Sequence, residues 1–178
     1  MQERIICSGF GGQGIMVLGR LISQAAMIQG KHTTWIPAYG AEVRGGAAYC
    51  MVIISDDEIA SPFVKEADTL IALNEPSLEK FKGRVTGGGL IIMNKSLISR
   101  DFKKDNLKII SAPFTGLAIK LGNVKVTNVI ALGSYLNAKK VLSVKSVEEA
   151  MQEMAPKDRP ELLQINQRAL SLGIEIVK

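Results

Sequence analysis

The sequence has 178 residues and a formal net charge of +5, and 47% of its residues are hydrophobic while only 5% are aromatic. This length suits one domain whose core needs neither disulfides nor a structural metal. The lysines and arginines are scattered and are not interleaved with aromatic residues, so we expect no nucleic-acid binding. The positive charge could instead steer a phosphate-bearing ligand or an acidic protein partner.

The sequence shows no signal for export or membrane insertion. No segment has the apolar length of a membrane span, and the first residues lead into an apolar strand without the pattern of a signal peptide. We therefore expect a cytoplasmic protein that does not associate with a membrane.

Cysteine and histidine are too few to form a redox or metal centre. Cys7 and Cys50 are the only cysteines, so there is no disulfide framework and no spacing typical of zinc or iron–sulfur sites. His32 is the only histidine, and we interpret it as a strand-end residue rather than a base. We predict no catalytic residue and no metal ligand in this chain, and we expect both cysteines to be inert core thiols.

Apolar periodicity and turn residues predict strands mainly in the first two thirds of the chain and helices in the last third. A capping box at Ser146 and Glu149 predicts a helix that ends before Pro156, and a last helix is expected from Pro160 to Gly173. No linker divides the chain, so we predict one α/β domain, residues 1–178, with a buried parallel sheet. The predicted strands are 4–8, 32–36, 47–54, 69–73, 90–93 and 108–111, and the other predicted helices are 15–29, 76–81, 114–121 and 126–136.

The segment that follows the first strand has the spacing Gly-x-Gly-x-x-Gly and opens the first helix. Glycines allow a sharp turn and close backbone approach, and the free amides of a helix N-terminus favour an anionic phosphate. The alternative is a turn that only packs the strand against the helix. The predicted cofactor-binding residues here are Gly9, Phe10, Gly11, Gly12, Gln13 and Gly14.

The residues around the second strand bear on which cofactor the glycine loop would bind. A unit that binds NAD usually carries an acidic residue at the end of that strand, whereas residues 31–35 read Lys-His-Thr-Thr-Trp. This basic neighbourhood disfavours NAD and leaves NADP or coenzyme A open. The loop also lacks the Gly-Lys-Ser/Thr ending of a nucleoside-triphosphate loop, so we do not expect an ATPase.

A second loop, residues 37–46, places an aromatic residue, an acid and an arginine between glycines. Ligands of α/β sheets collect at the carboxyl ends of the strands, where this loop and the glycine loop could meet. Arg44 could bind a phosphate with Glu42 orienting it, and a surface ion pair with a turn is the alternative. The predicted cofactor-binding residues of this loop are Tyr39, Glu42, Arg44, Gly45 and Gly46.

Taken together, GFGGQG near the start and PAYGAEVRGGAAYC after the second strand resemble the gamma subunit of 2-oxoacid:ferredoxin oxidoreductases. Segments 59–62, 67–74 and 88–94 follow in the order typical of that family, so the resemblance covers residues 3 to about 140. Within the family the chain is most similar to the 2-oxoglutarate type, ahead of the branched-chain 2-oxoacid, pyruvate and indolepyruvate types.

The resemblance implies a three-layer α/β/α domain with a mostly parallel sheet and a Rossmann-like start, related to domain III of pyruvate:ferredoxin oxidoreductase. It also implies a subunit, inactive alone, of an enzyme that converts a 2-oxoacid, coenzyme A and oxidised ferredoxin to acyl-CoA, carbon dioxide and reduced ferredoxin. Coenzyme A would be bound by this chain as a co-substrate. Thiamine diphosphate, magnesium and iron–sulfur clusters would lie on the alpha and beta subunits, with a delta subunit in some assemblies.

Two other hypotheses stay open from the sequence. In one, the chain is a non-catalytic assembly module, in which the glycine loop binds nothing and residues 39–46 dock a partner. In the other, it is a small NADP-dependent reductase, for which 178 residues leave little room for a substrate domain.

Overall fold

The core of the molecule is a six-stranded sheet with the strand order β2-β3-β1-β4-β5-β6. The structure is a computed structural model, and it describes residues 1–38, 48–156 and 158–177. The strands are β1 (Gln2–Gly9), β2 (His32–Ala38), β3 (Ala48–Ser55), β4 (Ala67–Ala72), β5 (Val85–Asn94) and β6 (Lys108–Ala112).

The sheet is mixed, with a parallel part and an antiparallel part. β1, β4, β5 and β6 run parallel to one another in three successive pairings. β3 is antiparallel to both of its neighbours, β1 and β2. β2 therefore runs in the same direction as β1 without adjoining it, so the chain starts as a Rossmann unit does but with β3 inserted. The predicted α/β class is confirmed, with parallel pairings in the majority.

Helices cover both faces of the sheet and form the outer layers of a three-layer α/β/α arrangement. Alternate residues of β1 point to opposite faces, so Ile5 contributes to the core beneath α1, α4, α5 and α6, while Ile6 packs with residues of α2. Burial on both faces explains the continuous apolar run of β1. None of the described helices is both long and apolar enough to cross a membrane. The helices are α1 (Ile15–Ile28), α2 (Glu75–Phe81), α3 (Phe114–Lys120), α4 (Thr127–Lys139), α5 (Val144–Met154) and α6 (Pro160–Glu175).

Two predicted helix ends were wrong. Helix α5 is capped by Ser143, whose hydroxyl accepts a hydrogen bond from the Ser146 amide at 3.0 Å, so Ser146 lies inside the helix and is buried. The capping box at Ser146 therefore does not form. Helix α6 continues past Gly173 to Glu175 because the glycine lies at a close crossing with α4 and is not a stop signal.

The predicted start of the strand at residues 90–93 is also wrong, because the three glycines at residues 87–89 already lie within β5. Strand β5 starts five residues earlier than expected, at Val85, and its register against β4 shifts between Ala67 and Thr69. Gly88 has a φ of 79°. An irregularity of this kind allows a strand to continue through residues that otherwise favour a turn.

Candidate functional site

The glycine loop forms a tight connection between β1 and α1. Gly9 is the last residue of β1, and Gly14 precedes α1 with φ 72° and ψ 26°, a left-handed conformation that favours glycine. Gly12 has a φ of 90°. Within the loop, the Phe10 amide donates to the Gln13 side-chain oxygen at 2.6 Å, and the Gln13 amide donates to the Phe10 carbonyl at 3.2 Å. Gln13 thus stabilises the turn from within.

The N-terminus of α1 is open to a ligand. No side chain of the described residues caps this helix, and its first turn contains no acidic residue. The first intrahelical bond runs from the Leu18 amide to the Gly14 carbonyl at 2.9 Å, so the amides before Leu18 have no carbonyl partner within the helix. These amides and the helix dipole give the loop a positive electrostatic potential that suits phosphate oxygens.

Asn128 of helix α4 also contacts the glycine loop, and the sequence analysis did not identify it. Its side-chain amide donates to the Gly14 carbonyl at 2.9 Å. The two residues are 114 positions apart, and a single asparagine at a helix start carries no sequence signal for such a contact.

The predicted residues of the second loop, Tyr39, Glu42, Arg44, Gly45 and Gly46, lie outside the described residues, and their roles remain predictions. The described flanks of this segment place both of its ends beside the glycine loop. Ala48, at the start of β3, pairs with Gly9, and Ala38, at the end of β2, pairs with Tyr49. The sequence-based expectation that the two loops belong to one edge of the sheet agrees with the position of these flanks.

The start of β3 is held by a small buried polar network. The Ser8 hydroxyl lies 3.2 Å from the Ala48 carbonyl and 2.9 Å from the Ser77 hydroxyl, and both serines are fully buried. The Ser77 amide in turn donates to Asn74, the cap of α2, at 2.9 Å. This network fixes the point where the second loop returns to the sheet, and the sequence analysis did not identify it.

Two cavities lie on either side of the glycine loop, with Gly12, Gly14 and Val17 in the walls of both. The first, of about 340 Å³, is bounded by Phe10 and by Ala38 and Ala48 at the flanks of the second loop. The second, of about 380 Å³, runs between α1, α4, α5 and α6 and has a largely apolar lining. Its walls include Leu21, Val129, Met151, Met154, Leu162 and Ile165.

Residues 31–35 do not lie at the end of the second strand, so that prediction from the sequence was wrong. His32 is the first residue of β2 and pairs with Ser55, at the edge of the sheet opposite the glycine loop. Lys31 forms an ion pair with Asp56 at 2.5 Å at that same edge. Lys31 and His32 therefore do not lie at the end of β2, where a NAD-binding unit carries its acid, so they do not distinguish NAD from NADP or coenzyme A.

Both cysteines lie in the core, as predicted. Cys7 and Cys50 are opposite each other in β1 and β3 and have no exposed surface. The Cys50 thiol donates to the Ile15 carbonyl at 3.4 Å. A hydrogen bond with Cys50, together with burial, raises the pKa of the Cys7 thiol well above its usual value. Across the described part of the chain, His, Cys, Asp and Glu form no group of three or more that could hold a metal ion.

Comparisons with known proteins give one consistent family. The family model described as pyruvate ferredoxin/flavodoxin oxidoreductase matches residues 4–176. The ketoisovalerate oxidoreductase subunit VorA of Methanothermobacter marburgensis is 41% identical over 133 residues, which cover 74% of this chain and 27% of that protein. The 2-oxoglutarate synthase subunit KorC of Methanocaldococcus jannaschii is 34% identical over 183 residues, which cover 100% of this chain and 95% of that protein.

The chain spans 27% and 36% of the length of two VorA relatives, those of Methanothermobacter marburgensis and Methanothermobacter thermautotrophicus.

Solved structures agree in fold. The gamma subunit of a keto/oxoacid ferredoxin oxidoreductase from Geobacter sulfurreducens has a TM-score of 0.85 and 27% identity, with 98% of each chain covered. A chain of the 2-oxoglutarate:ferredoxin oxidoreductase from Magnetococcus marinus, with 2-oxoglutarate, coenzyme A and succinyl-CoA bound, has a TM-score of 0.89 and 21% identity, covering 99% of this chain and 31% of that one.

Proposed function

The chain belongs to the pyruvate ferredoxin/flavodoxin oxidoreductase family as a gamma-type chain, and from this membership we propose that it supplies the coenzyme A binding domain of a multi-subunit 2-oxoacid:ferredoxin oxidoreductase. The assembled enzyme converts a 2-oxoacid, coenzyme A and oxidised ferredoxin to acyl-CoA, carbon dioxide and reduced ferredoxin. Thiamine diphosphate, magnesium and the iron–sulfur clusters belong to the alpha and beta subunits, and to a delta subunit where one is present. This chain contributes no redox group.

The observation that carries the proposal is the uncapped N-terminus of α1 behind the glycine loop. Its amides suit the diphosphate of coenzyme A, and the cavities of about 340 and 380 Å³ leave room on both sides for the rest of the molecule. The Magnetococcus marinus enzyme, whose chain shares this fold, is described with coenzyme A bound. Arg44 of the second loop, oriented by Glu42, is proposed to complete the phosphate contacts.

Two features of the related proteins bear on which 2-oxoacid the enzyme uses as its substrate. The KorC relative has nearly the same length as this chain, which favours 2-oxoglutarate. The VorA relatives are more identical in sequence but are much longer proteins, and they favour ketoisovalerate. We propose 2-oxoglutarate, with ketoisovalerate as the second candidate. Assays of the purified native complex with each 2-oxoacid decide between them.

Coenzyme A binding is tested on the purified complex and on the full chain by thermal unfolding. We expect coenzyme A to raise the melting temperature, by the linkage between binding and stability, and we expect NADPH to leave it unchanged. Stabilisation by NADPH without any response to coenzyme A would overturn the proposal.

A pair of glycine variants locates the site. Gly12 and Gly30 both have positive φ, 90° and 72°, and an added Cβ meets no atom within 4 Å at either position. Replacement by alanine should therefore cost each variant a similar conformational energy, about 1 kcal/mol. Gly12→Ala changes a residue of the glycine loop, whereas Gly30→Ala changes a residue that lies after the C-terminal end of α1. We expect only Gly12→Ala to weaken coenzyme A binding, and equal binding by the two variants would contradict the location.

The assembly-module alternative gives a different result. If the glycine loop binds nothing and residues 39–46 serve only to dock a partner, Arg44→Ala will break the complex without changing how the full chain responds to coenzyme A. Under the leading proposal Arg44→Ala weakens coenzyme A binding, because a phosphate contact is lost.

A further inference from the structure

We propose that Asn128 is a positioning residue for the glycine loop, which it holds in the geometry that binds the ligand phosphates. The inference rests on the proposed function, since it assigns a role to a residue behind that same site. It starts from the hydrogen bond between the Asn128 side-chain amide and the Gly14 carbonyl, at 2.9 Å.

The orientation of the Asn128 side chain follows from chemistry. A backbone carbonyl can only accept a hydrogen bond, so the nitrogen of the side-chain amide must face Gly14. The side-chain oxygen then accepts from the Val129 amide at 2.9 Å. Both polar atoms of Asn128 are thus used, and the residue is only 4% exposed.

The Gly14 carbonyl is the point at which the loop becomes a helix. It accepts from the Leu18 amide at 2.9 Å, as the first bond of α1, and from Asn128 as well. Two donors on one carbonyl fix the plane of the peptide that joins Gly14 to Ile15. The amide of Ile15 belongs to that peptide, and it is the first of the helical amides that face an anion at this N-terminus.

Gly14 and Asn128 also fit each other sterically. A Cβ built on Gly14 would lie 2.5 Å from the Asn128 side-chain nitrogen, which is closer than two such atoms can approach. Asn128 therefore occupies the space that the glycine leaves open. This close contact requires glycine at position 14, the third glycine of the Gly-x-Gly-x-x-Gly motif, as its left-handed φ also does.

Asn128 can position the loop because helix α4 is itself well fixed. Ten consecutive residues of α4, from Thr127 to Leu136, are buried, so the helix moves little relative to the sheet. Asn128 also lies in the wall of the larger cavity beside the loop. It thus connects the centre of the molecule to the edge where the ligand is proposed to bind.

The test uses the purified complex carrying Asn128→Ala or Asn128→Asp, with steady-state kinetics in coenzyme A and in the 2-oxoacid. Both changes remove the donor, and the aspartate keeps the shape of the side chain. We expect the Km for coenzyme A to rise about tenfold, as for the loss of one well-formed hydrogen bond. The Km for the 2-oxoacid and kcat should stay within about twofold of wild type, because the reacting groups are unchanged.

Asn137 provides a matched control on the same helix. Its side-chain amide donates to the Ile174 carbonyl at 2.9 Å, so Asn137→Ala and Asn137→Asp remove a bond of the same kind. The two asparagines are nine positions apart, which is about 14 Å along the helix. We expect the Asn137 variants to retain the wild-type Km for coenzyme A even where they lower the melting temperature.

The outcomes separate this inference from the proposed function. If the wild-type complex shows no saturable dependence on coenzyme A, the proposed function fails before any variant is considered. If wild type depends on coenzyme A but the Asn128 variants keep its Km, the positioning role is wrong. Failure of both Asn128 variants to assemble, with intact Asn137 variants, would also contradict it, because Asn128 would then be a residue of the fold alone.

Discussion

At the scale of single residues, Arg4 joins the start of β1 to Asp68 in β4. The Arg4 guanidinium donates to both carboxylate oxygens of Asp68, at 2.9 and 2.8 Å, and the Arg4 amide donates to one of them at 2.9 Å. Burial by itself would raise the pKa of Asp68, but the hydrogen bonds from Arg4 outweigh it and lower the pKa below 3.8. The bond pattern is bidentate, the geometry in which arginine binds carboxylates best.

The lowered pKa of Asp68 predicts an acid-dependent loss of stability. The pKa of Asp68 is lower in the folded state than in the unfolded state. Its contribution to the free energy of unfolding is therefore complete above about pH 4 and declines as the pH falls through the folded pKa. Asp68→Asn should lower the free energy of unfolding at pH 7 by about 1 to 3 kcal/mol and flatten its decline below pH 4. Urea unfolding between pH 2.5 and 7 measures both effects. Asp57→Asn, at an exposed position, is the control and should leave the profile unchanged.

The pKa of Glu3, next to Arg4 in β1, is shifted in the opposite direction to that of Asp68. Glu3 is only 5% exposed, and burial raises its pKa above 4.5, although the Thr69 hydroxyl donates to its carboxylate at 2.6 Å. A raised folded pKa means that stability falls as the pH rises from 4.5 through that pKa. Glu3→Gln should remove this fall and leave the acid limb due to Asp68 in place. A flatter acid limb in Glu3→Gln would contradict the assignment, because it would mean that ionised Glu3 stabilises the folded state.

At the scale of elements, two glycines allow α4 and α6 to cross in close contact. Gly133 and Gly173 face each other, and a Cβ on either would lie within 2.3 Å of a backbone atom of the opposite helix. The nearest atom to a Cβ on Gly173 is the Ile130 carbonyl oxygen, at 2.0 Å. A backbone atom in a packed helix cannot move aside as a flexible side chain can. The crossing therefore depends on glycine for its size and not for its backbone freedom.

This crossing predicts that Gly173→Ala is strongly destabilising. The added methyl group forces the two helices apart, and we expect a loss of about 3 kcal/mol or more in the free energy of unfolding. Gly116→Ala in α3 is the matched control, because the nearest atom to its added Cβ lies at 3.6 Å, an ordinary contact. Alanine is the better helix former, so Gly116→Ala should stabilise the protein by about 0.5 to 1 kcal/mol. Chemical denaturation measures both, and similar values for the two variants would contradict the packing argument.

The positions of most strands could be predicted from the sequence, whereas the ends of several elements could not. Continuous apolar runs located β1, β3, β4 and β5, because a strand buried on both faces leaves a signal along the chain itself. The ends of elements were less predictable, since several chemical groups compete for them. Ser143 and Ser146 both qualify as a helix cap by type, and only the three-dimensional structure shows that Ser143 accepts the bond. Gly173 is the residue type that commonly ends a helix, but here its close contact with α4 is what requires a glycine.

At the scale of the whole molecule, the position of the candidate site was predictable because it follows from strand direction. A glycine motif between a strand and a helix must lie at the carboxyl edge of that strand, and the flanks of residues 39–47 lie there too. The insertion of β3 between β1 and β2 was not predictable, since local sequence does not encode strand order. Residues 32–35 do not distinguish the cofactors because they form the start of β2 and not its end. Asn128 was missed for a related reason, because its contact joins distant parts of the chain.

The placement of the site at one edge of the sheet predicts where coenzyme A will slow hydrogen exchange. Amides of residues 11–18 should exchange more slowly in its presence, and so should those of residues 126–130 if Asn128 links the loop to α4. At a coenzyme A concentration 100 times Kd the slowing should be on the order of 100-fold for amides that open only when the ligand leaves. Exchange in the complex, followed by mass spectrometry with and without coenzyme A, measures this. The opposite edge carries its own control, the ion pair of Lys31 with Asp56, whose surroundings should exchange at an unchanged rate. Protection at that edge in place of the glycine loop would show that the ligand binds elsewhere on the sheet.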